Sequence, residues 1–539
     1  MPTVILNKKT IDRLIGKKLS LDELKDRISM LGTDLNEIKD DEIHIEVFPN
    51  RPDMLSEQGL GRALASFIGT KPGLKKYNIK KSGLKIFAKD PEKKWPYVVA
   101  CIVKGLELNS DKVREIIQLQ EKLGTTLTRN RKKGGIGIYP LEKINFPVTF
   151  TGKKPELIKF TPLEFKKELT AQQILDQHPK GKTYKHILDT WSKYPLFIDA
   201  KGIIMSMPPI INSDIVGKIT ENSKNLFLEA TGPDLNTLIT SLNIITTSLS
   251  DLGGQIYSIE INYPKKKLDY PNLEPIKRKI NLNNVNKLLG LNLSEKEIKT
   301  YLERMGYGYS NKIVSIPPYR ADILNEVDLI EDIAIAYGYE NFTAKIPKVS
   351  TIGQENNFEK FKEKISEFLT GFNILETNSF NLISEQDLEK MGIDIPNIKI
   401  KNPINLEYNR VRTWMIPSLL KILSENKHYE YPQNLFEIGT CFNKDNEFNR
   451  LGITLCHDKV TFTQIKQILD SLMNYLNLKY TLEETEHPSF IDGRCGRITI
   501  KSKKLAYIGE IKPEVLSKFN INLPVSALEI NLTELFKLI

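Results

Sequence analysis

The chain has 539 residues, 40% hydrophobic and 27% charged, with a formal net charge of +10. These are the proportions of a globular protein of three or four domains. No apolar run approaches the roughly 18 residues of a membrane helix, and the four scattered cysteines argue against a disulfide framework or zinc site. The opening segment lacks the apolar stretch of a signal peptide, so the expected location is cytoplasmic. The positive charge allows a polyanionic partner without identifying one.

In chain order, the first feature is a repeat. Residues 11–32 and 285–306 align, with Gly16 on Gly290, Leu19 on Leu293, Ser20 on Ser294, Glu23 on Glu297 and Gly32 on Gly306. In each copy a serine with glutamate three residues on makes a capping box that starts a helix. The closing glycine suits the left-handed turn that ends it. A strand follows at 43–47 and at 312–316. Then Pro49-Asn50-Arg51-Pro52-Asp53 parallels Pro318-Tyr319-Arg320-Ala321-Asp322, and a second helix closes each copy at Gly69 and Gly338. One helix–strand–helix unit is therefore expected twice.

Between the copies, residues 97–103 read as a strand and 111–123 as a helix. Arg129, Arg131, Lys132 and Lys133 then stand beside Gly134, Gly135 and Gly137. Guanidinium and ammonium groups next to flexible backbone suit phosphates. The glycines fit neither nucleotide-binding spacing, and a basic surface loop is the alternative. The apolar turn at 205–213 is a candidate pocket wall or a buried loop. Leu226–Gly232 reads as a strand, and the run Tyr263-Pro264-Lys265-Lys266-Lys267 as a linker at a domain boundary.

Residues 316–338 carry the densest chemistry. A helix is expected from Asp322 as N-cap, with Ile323, Val327, Ile330, Ala334 and Tyr337 on its core face. Asp328, Glu331 and Asp332 fall together on a neighbouring arc. Carboxylates so close repel unless a cation sits among them, and with Asp322 they form an oxygen set suited to Mg²⁺. The alternative is a solvated acidic face. The first copy has Gly59, Arg62 and Ala63 opposite the three, which suggests that the fold itself does not need them.

The last region, from about 350, opens with a helix at Asn357–Thr370. Arg410 and Arg412 are candidates for anion binding or for surface and interface roles. His487 has no catalytic companion at suitable spacing and reads as structural.

Five segments in this order resemble the beta subunit of phenylalanyl-tRNA synthetase in its shorter archaeal and eukaryotic form. They are F-P-N-R-P-D-M-L-S (48–56), S-M-P-P-I-I-N-S (206–213), P-P-Y-R-A-D with D-x5-D-x2-E-D (317–332), H-P-S-F-I-D-G-R (487–494) and I-G-E-I-K-P-E-V-L (508–516). The resemblance implies an α+β multidomain chain. Its parts would be a first repeat copy (1–84), an editing-like mixed domain (85–265), a metal-binding second copy (266–347) and a degenerate class II synthetase-like antiparallel sheet domain (348–539). It implies Mg²⁺ on Asp322, Asp328, Glu331 and Asp332, near an alpha subunit in an α2β2 tetramer. The complex would use ATP to attach phenylalanine to tRNA(Phe), with no aminoacylation residue in this chain. Arg131, Lys132, Asn212, Ser213 and Glu229 would lie near a cleft that hydrolyses mischarged tyrosyl-tRNA. Gly137-Ile138-Tyr139-Pro140 departs from the Gly-Ile-His-Asp expected in archaeal members. That departure removes acid–base groups, so the expectation for editing is weak or none. In the last domain, Leu435-Phe436-Glu437-Ile438-Gly439 lacks the ATP-binding arginine of active class II members, and no glycine-rich motif follows Lys501. Two other classes remain. A standalone hydrolase of misacylated tRNA would act without a partner, and an RNA-binding scaffold would show no activity in any mixture.

Overall fold

The computed structural model describes residues 2–39, 42–347 and 349–539. The expected boundary at 347/348 falls on Lys348, outside the described residues. The chain divides into two compact units, Met1–Lys345 and Ile346–Ile539. Among the described residues no helix is long and apolar enough to cross a membrane.

The first unit opens with β1 (Thr3–Asn7), α1 (Lys8–Ile15), α2 (Leu21–Met30), β2 (Asp34–Lys39), β3 (Glu42–Glu46) and α3 (Glu57–Phe67). A large sheet follows, built from β4 (Ile79–Ala88), β5 (Tyr97–Lys104), β6 (Gly135–Pro140), β7 (Val148–Lys153), β8 (Tyr194–Ile198), β9 (Ile204–Met207), β10 (Ile211–Asn212), β11 (Leu226–Gly232), β12 (Gln255–Tyr263) and β13 (Lys266–Tyr270). Its order is β10-β9-β8-β7-β4-β12-β5-β11-β6, with β13 beside β12. Helix α4 (Ser110–Thr125) packs near β6, and α5 (Leu235–Asp251) packs on β5 and β11. The second copy is β14 (Ile276–Lys279), α6 (Leu282–Leu289), α7 (Glu295–Arg304), β15 (Gly308–Ser310), β16 (Ile313–Ile316) and α8 (Glu326–Tyr337).

The repeat folds as the capping signals require. Both serines cap with their glutamates, and Gly16 and Gly290 end their helices with φ of 78° and 68°. Each copy adds two strands that the sequence did not reveal. The three-stranded sheets are antiparallel and equivalent, β1-β3-β2 and β14-β16-β15, with the last strand central. The copies touch reciprocally. Arg27 of the first bonds Glu340 of the second at 3.3 Å. The Glu303 carbonyl of the second accepts from Ser66 Oγ (3.0 Å) and the Gly73 amide (2.6 Å) of the first.

The segment read as a linker is a tight hairpin turn, with Tyr263 opposite Lys266 and Asn262 opposite Lys267. Its lysines are exposed on an edge strand, where charge blocks further pairing. One hydrophobic cluster runs through both copies and the large sheet, from Val4 to Ala336. The three parts expected here as separate domains therefore share a core.

The second unit contains α9 (Asn357–Thr370), β17 (Leu375–Glu376), α10 (Ile416–Glu425), β18 (Gln433–Phe442), β19 (Glu447–Cys456), α11 (Phe462–Tyr475), β20 (Thr481–Glu484), β21 (Phe490–Ile500), β22 (Lys503–Ile511) and β23 (Val525–Asn531). Its sheet runs β17-β18-β19-β23-β22-β21-β20 and is antiparallel except for the short β17–β18 pair. Strand alternation feeds two cores. Phe436, Leu528 and Ile530 meet α9 and α11, while Leu435, Val525 and Ala527 meet α10.

Candidate functional site

The four carboxylates of 322–332 divide between two tasks. Arg320, with its side chain 2% exposed, donates from Nε and Nη2 to Asp322 at 2.8 and 2.7 Å. The same Nη2 reaches Asp332 at 2.7 Å, and Asp332 also accepts from the Tyr307 hydroxyl. Asp328 accepts from the Leu324 and Asn325 amides at 2.7 and 2.6 Å and so caps α8. Glu331 is exposed. Among the described residues no three His, Cys, Asp or Glu side chains are grouped to hold a metal ion. As arranged, the four do not jointly fit one cation, because Arg320 already neutralises two of them.

The helix start differs from expectation for the same reason. With Asp322 held by Arg320, the cap is Asn325, and Val327 in the first turn is 52% exposed rather than core. The buried face is Leu329, Ile330, Ile333, Ala334 and Ala336, joined by Asp332. The comparison between copies also changes meaning. A Cβ on Gly59 would lie 1.9 Å from the Asp53 carbonyl oxygen, so the first copy excludes any side chain where the second carries Asp328. The R-x-D fork is what the copies share. Arg51 grips Asp53 at 2.9 and 2.8 Å through the same two nitrogens.

Arg131, Asn212 and Glu229 line one cavity of about 470 Å³, walled by Ile136, Ile138 and Pro208 to Ile211. Lys132 and Ser213 do not line it. Arg131 is no free phosphate ligand. Its Nη1 donates to the Pro209 and Ile210 carbonyls, each at 2.9 Å, and its Nη2 to Glu121 at 2.9 Å, while the guanidinium lies over the Tyr184 ring. It clamps the apolar turn that forms the cavity wall. The nearby glycines serve packing rather than flexibility. A Cβ on Gly137 would meet Glu229 Oε1 at 2.3 Å, and one on Gly135 the Pro209 Cα at 2.9 Å.

Glu229 is the chemically distinctive group. Its Oε1 accepts from the Tyr139 hydroxyl at 3.1 Å, and that hydroxyl is 3.2 Å from Asn212 Oδ1. Its Oε2 is buried with no partner. Burial pushes the carboxyl up to about 8, and the Tyr139 hydrogen bond only partly offsets this. Near neutrality it is a carboxylic acid able to donate a hydrogen bond. A neutral acid beside an apolar wall can recognise a hydroxyl group, and a site built for a hydroxyl rejects ligands lacking it. The sequence marks Tyr139 only as part of the segment that departs from Gly-Ile-His-Asp, not as the partner of Glu229. The reach of Tyr139 to Glu229 depends on the β6–β11 pairing, in which Gly137 faces Glu229 and Tyr139, two residues on, lies diagonally across on the same face.

The raised carboxyl has a measurable consequence. The folded state keeps the proton through a range where the unfolded chain has lost it. Its contribution to stability is therefore complete below the ordinary carboxylate range and disappears as pH rises through about 8. Glu115, raised to about 7, acts with the same sign. The thermal midpoint is expected to fall between pH 6 and 9, and Glu229→Gln to remove a few degrees of that fall. Parallel slopes in the two proteins would contradict the assignment.

In the second unit the arginines are internally paired. Arg412 Nη1 donates to Glu437 at 2.7 Å and Ser379 at 2.9 Å, and its Nε to the Thr440 carbonyl at 2.8 Å. Arg450 pairs with Glu529 at 2.8 Å, and Arg410 pairs with Glu385. His487 accepts from the Ser489 amide at 3.2 Å and packs on Trp414, Phe490 and Tyr507. Burial and neighbouring cations lower it to about 4, as befits a neutral structural ring.

Two family models match the chain, the tRNA synthetase B5 domain at 278–339 and the phenylalanyl tRNA synthetase beta chain CLM domain at 343–532. The phenylalanine–tRNA ligase beta subunit of Thermococcus sibiricus is 37% identical, over 100% of this chain and 99% of its own. That of Pyrococcus abyssi is 37% identical over 100% of both. A crystal structure of an N-terminal fragment of the phenylalanyl-tRNA synthetase beta subunit from Pyrococcus horikoshii superposes with a TM-score of 0.60. It is 35% identical and covers 62% of this chain and 99% of that one. The duplicated module, the large mixed sheet and the second antiparallel unit are thus those of an aminoacyl-tRNA synthetase subunit. The chain belongs to the phenylalanine–tRNA ligase beta-subunit family.

Proposed function

We propose that this chain is the non-synthetic partner in a complex that attaches phenylalanine to tRNA(Phe) with ATP, the synthetic residues lying in an alpha subunit. The observation that carries this reading is full-length similarity to named beta subunits. The closed pair Arg412–Glu437 supports it, because it commits that buried guanidinium inside the unit rather than to a nucleotide phosphate. In this reading the unit from residue 348 pairs with the alpha subunit in an α2β2 tetramer. Residues 1–84 and 266–347 are the two repeat copies. The region 85–265 is the editing-like part, and its sheet borrows a strand from each flank, starting at Ile79 and ending at Tyr270. The standalone hydrolase and scaffold readings have no supporting observation.

Although Gly137–Pro140 lacks the expected His–Asp pair, the Tyr139–Glu229 bond supplies a polar group in that cavity, and the cavity is proposed to bind a misattached tyrosine through its phenol, for hydrolysis from tRNA. A magnesium ion belongs to the assembled complex in this reading. The chain leaves Glu331 and the second oxygen of Asp328 available, whereas Asp322 and Asp332 would first have to exchange Arg320 for the ion. When bound, such an ion would neutralise carboxylates at the subunit junction.

The test is phenylalanine charging by this chain alone, by the alpha subunit alone, and by both. Activity is expected only in the mixture, and charging without this chain would overturn the reading. The same mixture is expected to hydrolyse tyrosyl-tRNA, with about a hundredfold loss in Glu229→Ala, the scale of removing one positioned catalytic interaction. Unchanged hydrolysis would remove Glu229 from the site. Mn²⁺ paramagnetic resonance on the chain and on the mixture tests the ion, which is expected to bind tightly only after assembly.

A further inference from the structure

A second cavity, of about 400 Å³, lies between the repeat copies and the C-terminal end of α5. Its polar lining comes from Arg51, Arg62, Arg320, Lys71 and Lys75, against Asp53 and Asp251. With Asp322 and Asp332 behind Arg320, the surroundings hold five cations and four carboxylates. The apolar wall includes Leu14, Leu74 and Met305. None of this belongs to the Glu229 cavity.

The guanidinium groups are only partly used. Arg51 and Arg320 each commit Nε and Nη2 to their own aspartates, and Arg320 Nη1 is buried without a partner. Arg62 donates from Nη1 to Asp251 at 2.6 Å and Tyr77 at 3.0 Å, and its Nη2 is likewise without a partner. Arg51 and Arg320 occupy equivalent positions of the repeat; Arg320 disfavours the charge of Arg51, while the aspartates hold both guanidinium groups firmly charged. A buried donor without a partner keeps an uncompensated desolvation penalty, which a bound acceptor would relieve. Arginine is suited to oxyanions because its planar donor edges match two oxygens at once. Lys71 and Lys75 are exposed on the solvent side, Lys75 paired with Asp251 at 2.7 Å and Lys71 donating to the Leu14 carbonyl at 2.9 Å, so their charge is shared with the cavity rather than free.

We propose that this cavity binds a small phosphate-bearing ligand, either inorganic phosphate or a phosphomonoester. An oxyanion would take the unused arginine donors and separate the two like charges, and the apolar wall would accept the carbon part of an ester. A cavity of this size lies within the about 300–1,000 Å³ of small-molecule sites.

The test is calorimetric titration of the full chain in complex with its alpha subunit, using inorganic phosphate and glycerol 3-phosphate against chloride at constant ionic strength. One saturable site per chain is expected, weakened at least tenfold in Arg62→Gln. The exposed double variant Lys71→Met/Lys75→Met is expected to weaken it severalfold, and it decides the matter if Arg62→Gln does not fold. Tighter binding of the ester identifies a small metabolite, whereas displacement of phosphate by tRNA identifies an RNA phosphate as the source. Absence of saturable binding, or equal affinity in wild type and the folded variants, would overturn the proposal.

Discussion

Replacing Arg320 with methionine is expected to cost the first unit about 3–5 kcal/mol, the usual penalty for stripping the partner from a buried charge. Arg320 holds Asp322 with two parallel bonds and Asp332 with a third, and all three side chains are largely shielded from water. Methionine fills much of the volume but leaves two carboxylates facing each other. Tyr307 still donates to Asp332, so part of that charge remains solvated by the protein. In urea, where the slope rises with size to about 3 kcal/mol per molar or more for a unit this large, the midpoint of the first unit should drop by about 1 M. A drop below about 0.3 M would mean that the fork does not hold this region together. Mg²⁺ adds a further arm. If Asp322 and Asp332 can take a cation once Arg320 is gone, millimolar Mg²⁺ should restore part of the lost midpoint in the variant and leave the wild type unchanged.

The second large effect is expected at Arg412 in the other unit. Arg412 and Glu437 are both almost fully buried, and Arg412 bridges Glu437, Ser379 and the Thr440 carbonyl. Arg412→Met should destabilise this unit by about 3–5 kcal/mol through the stranded glutamate. The double variant Arg412→Met/Glu437→Leu should recover most of it, because a buried ion pair can often be exchanged for apolar packing without loss. Urea denaturation followed by a probe in the second unit measures both. If the double variant is as unstable as the single one, the cost lies in lost packing and in Ser379 and Thr440 rather than in the charge. Should the single variant retain full stability, the pair is not the anchor described above.

Much of the fold was legible because it is written locally. Capping boxes at Ser20 and Ser294 and left-handed glycines at Gly16 and Gly290 need only neighbours within one turn. The outer strands Thr3–Asn7 and Ile276–Lys279 were missed because each is short and gains its place only by pairing with the central strand. The hairpin at Tyr263–Lys266 was misread because three consecutive lysines look alike in a linker and on an exposed edge. At the candidate site the residue types were visible but their partners were not. Asp328, Glu331 and Asp332 form a set on a helical wheel, yet Asp332 is claimed by Tyr307 and Arg320, and Asp328 by backbone amides. Arg131 looked like a phosphate ligand because its acceptors, the carbonyls of Pro209 and Ile210, lie some eighty residues away.

The reciprocal contacts between the two repeat copies have a consequence for assembly. The first copy's α2 side reaches the segment after α8, and the second copy's α7 reaches the segment after α3. Equivalent elements meeting in this way resemble the closed two-fold pairing of separate subunits, although here the residues on the two sides differ. Here both halves are on one polypeptide, so the pairing is intramolecular and independent of protein concentration. A lone copy cut from the chain would expose that surface, with Arg27 or Glu340 left without its partner. In the intact chain these surfaces already face each other, so this pairing is complete before any partner arrives.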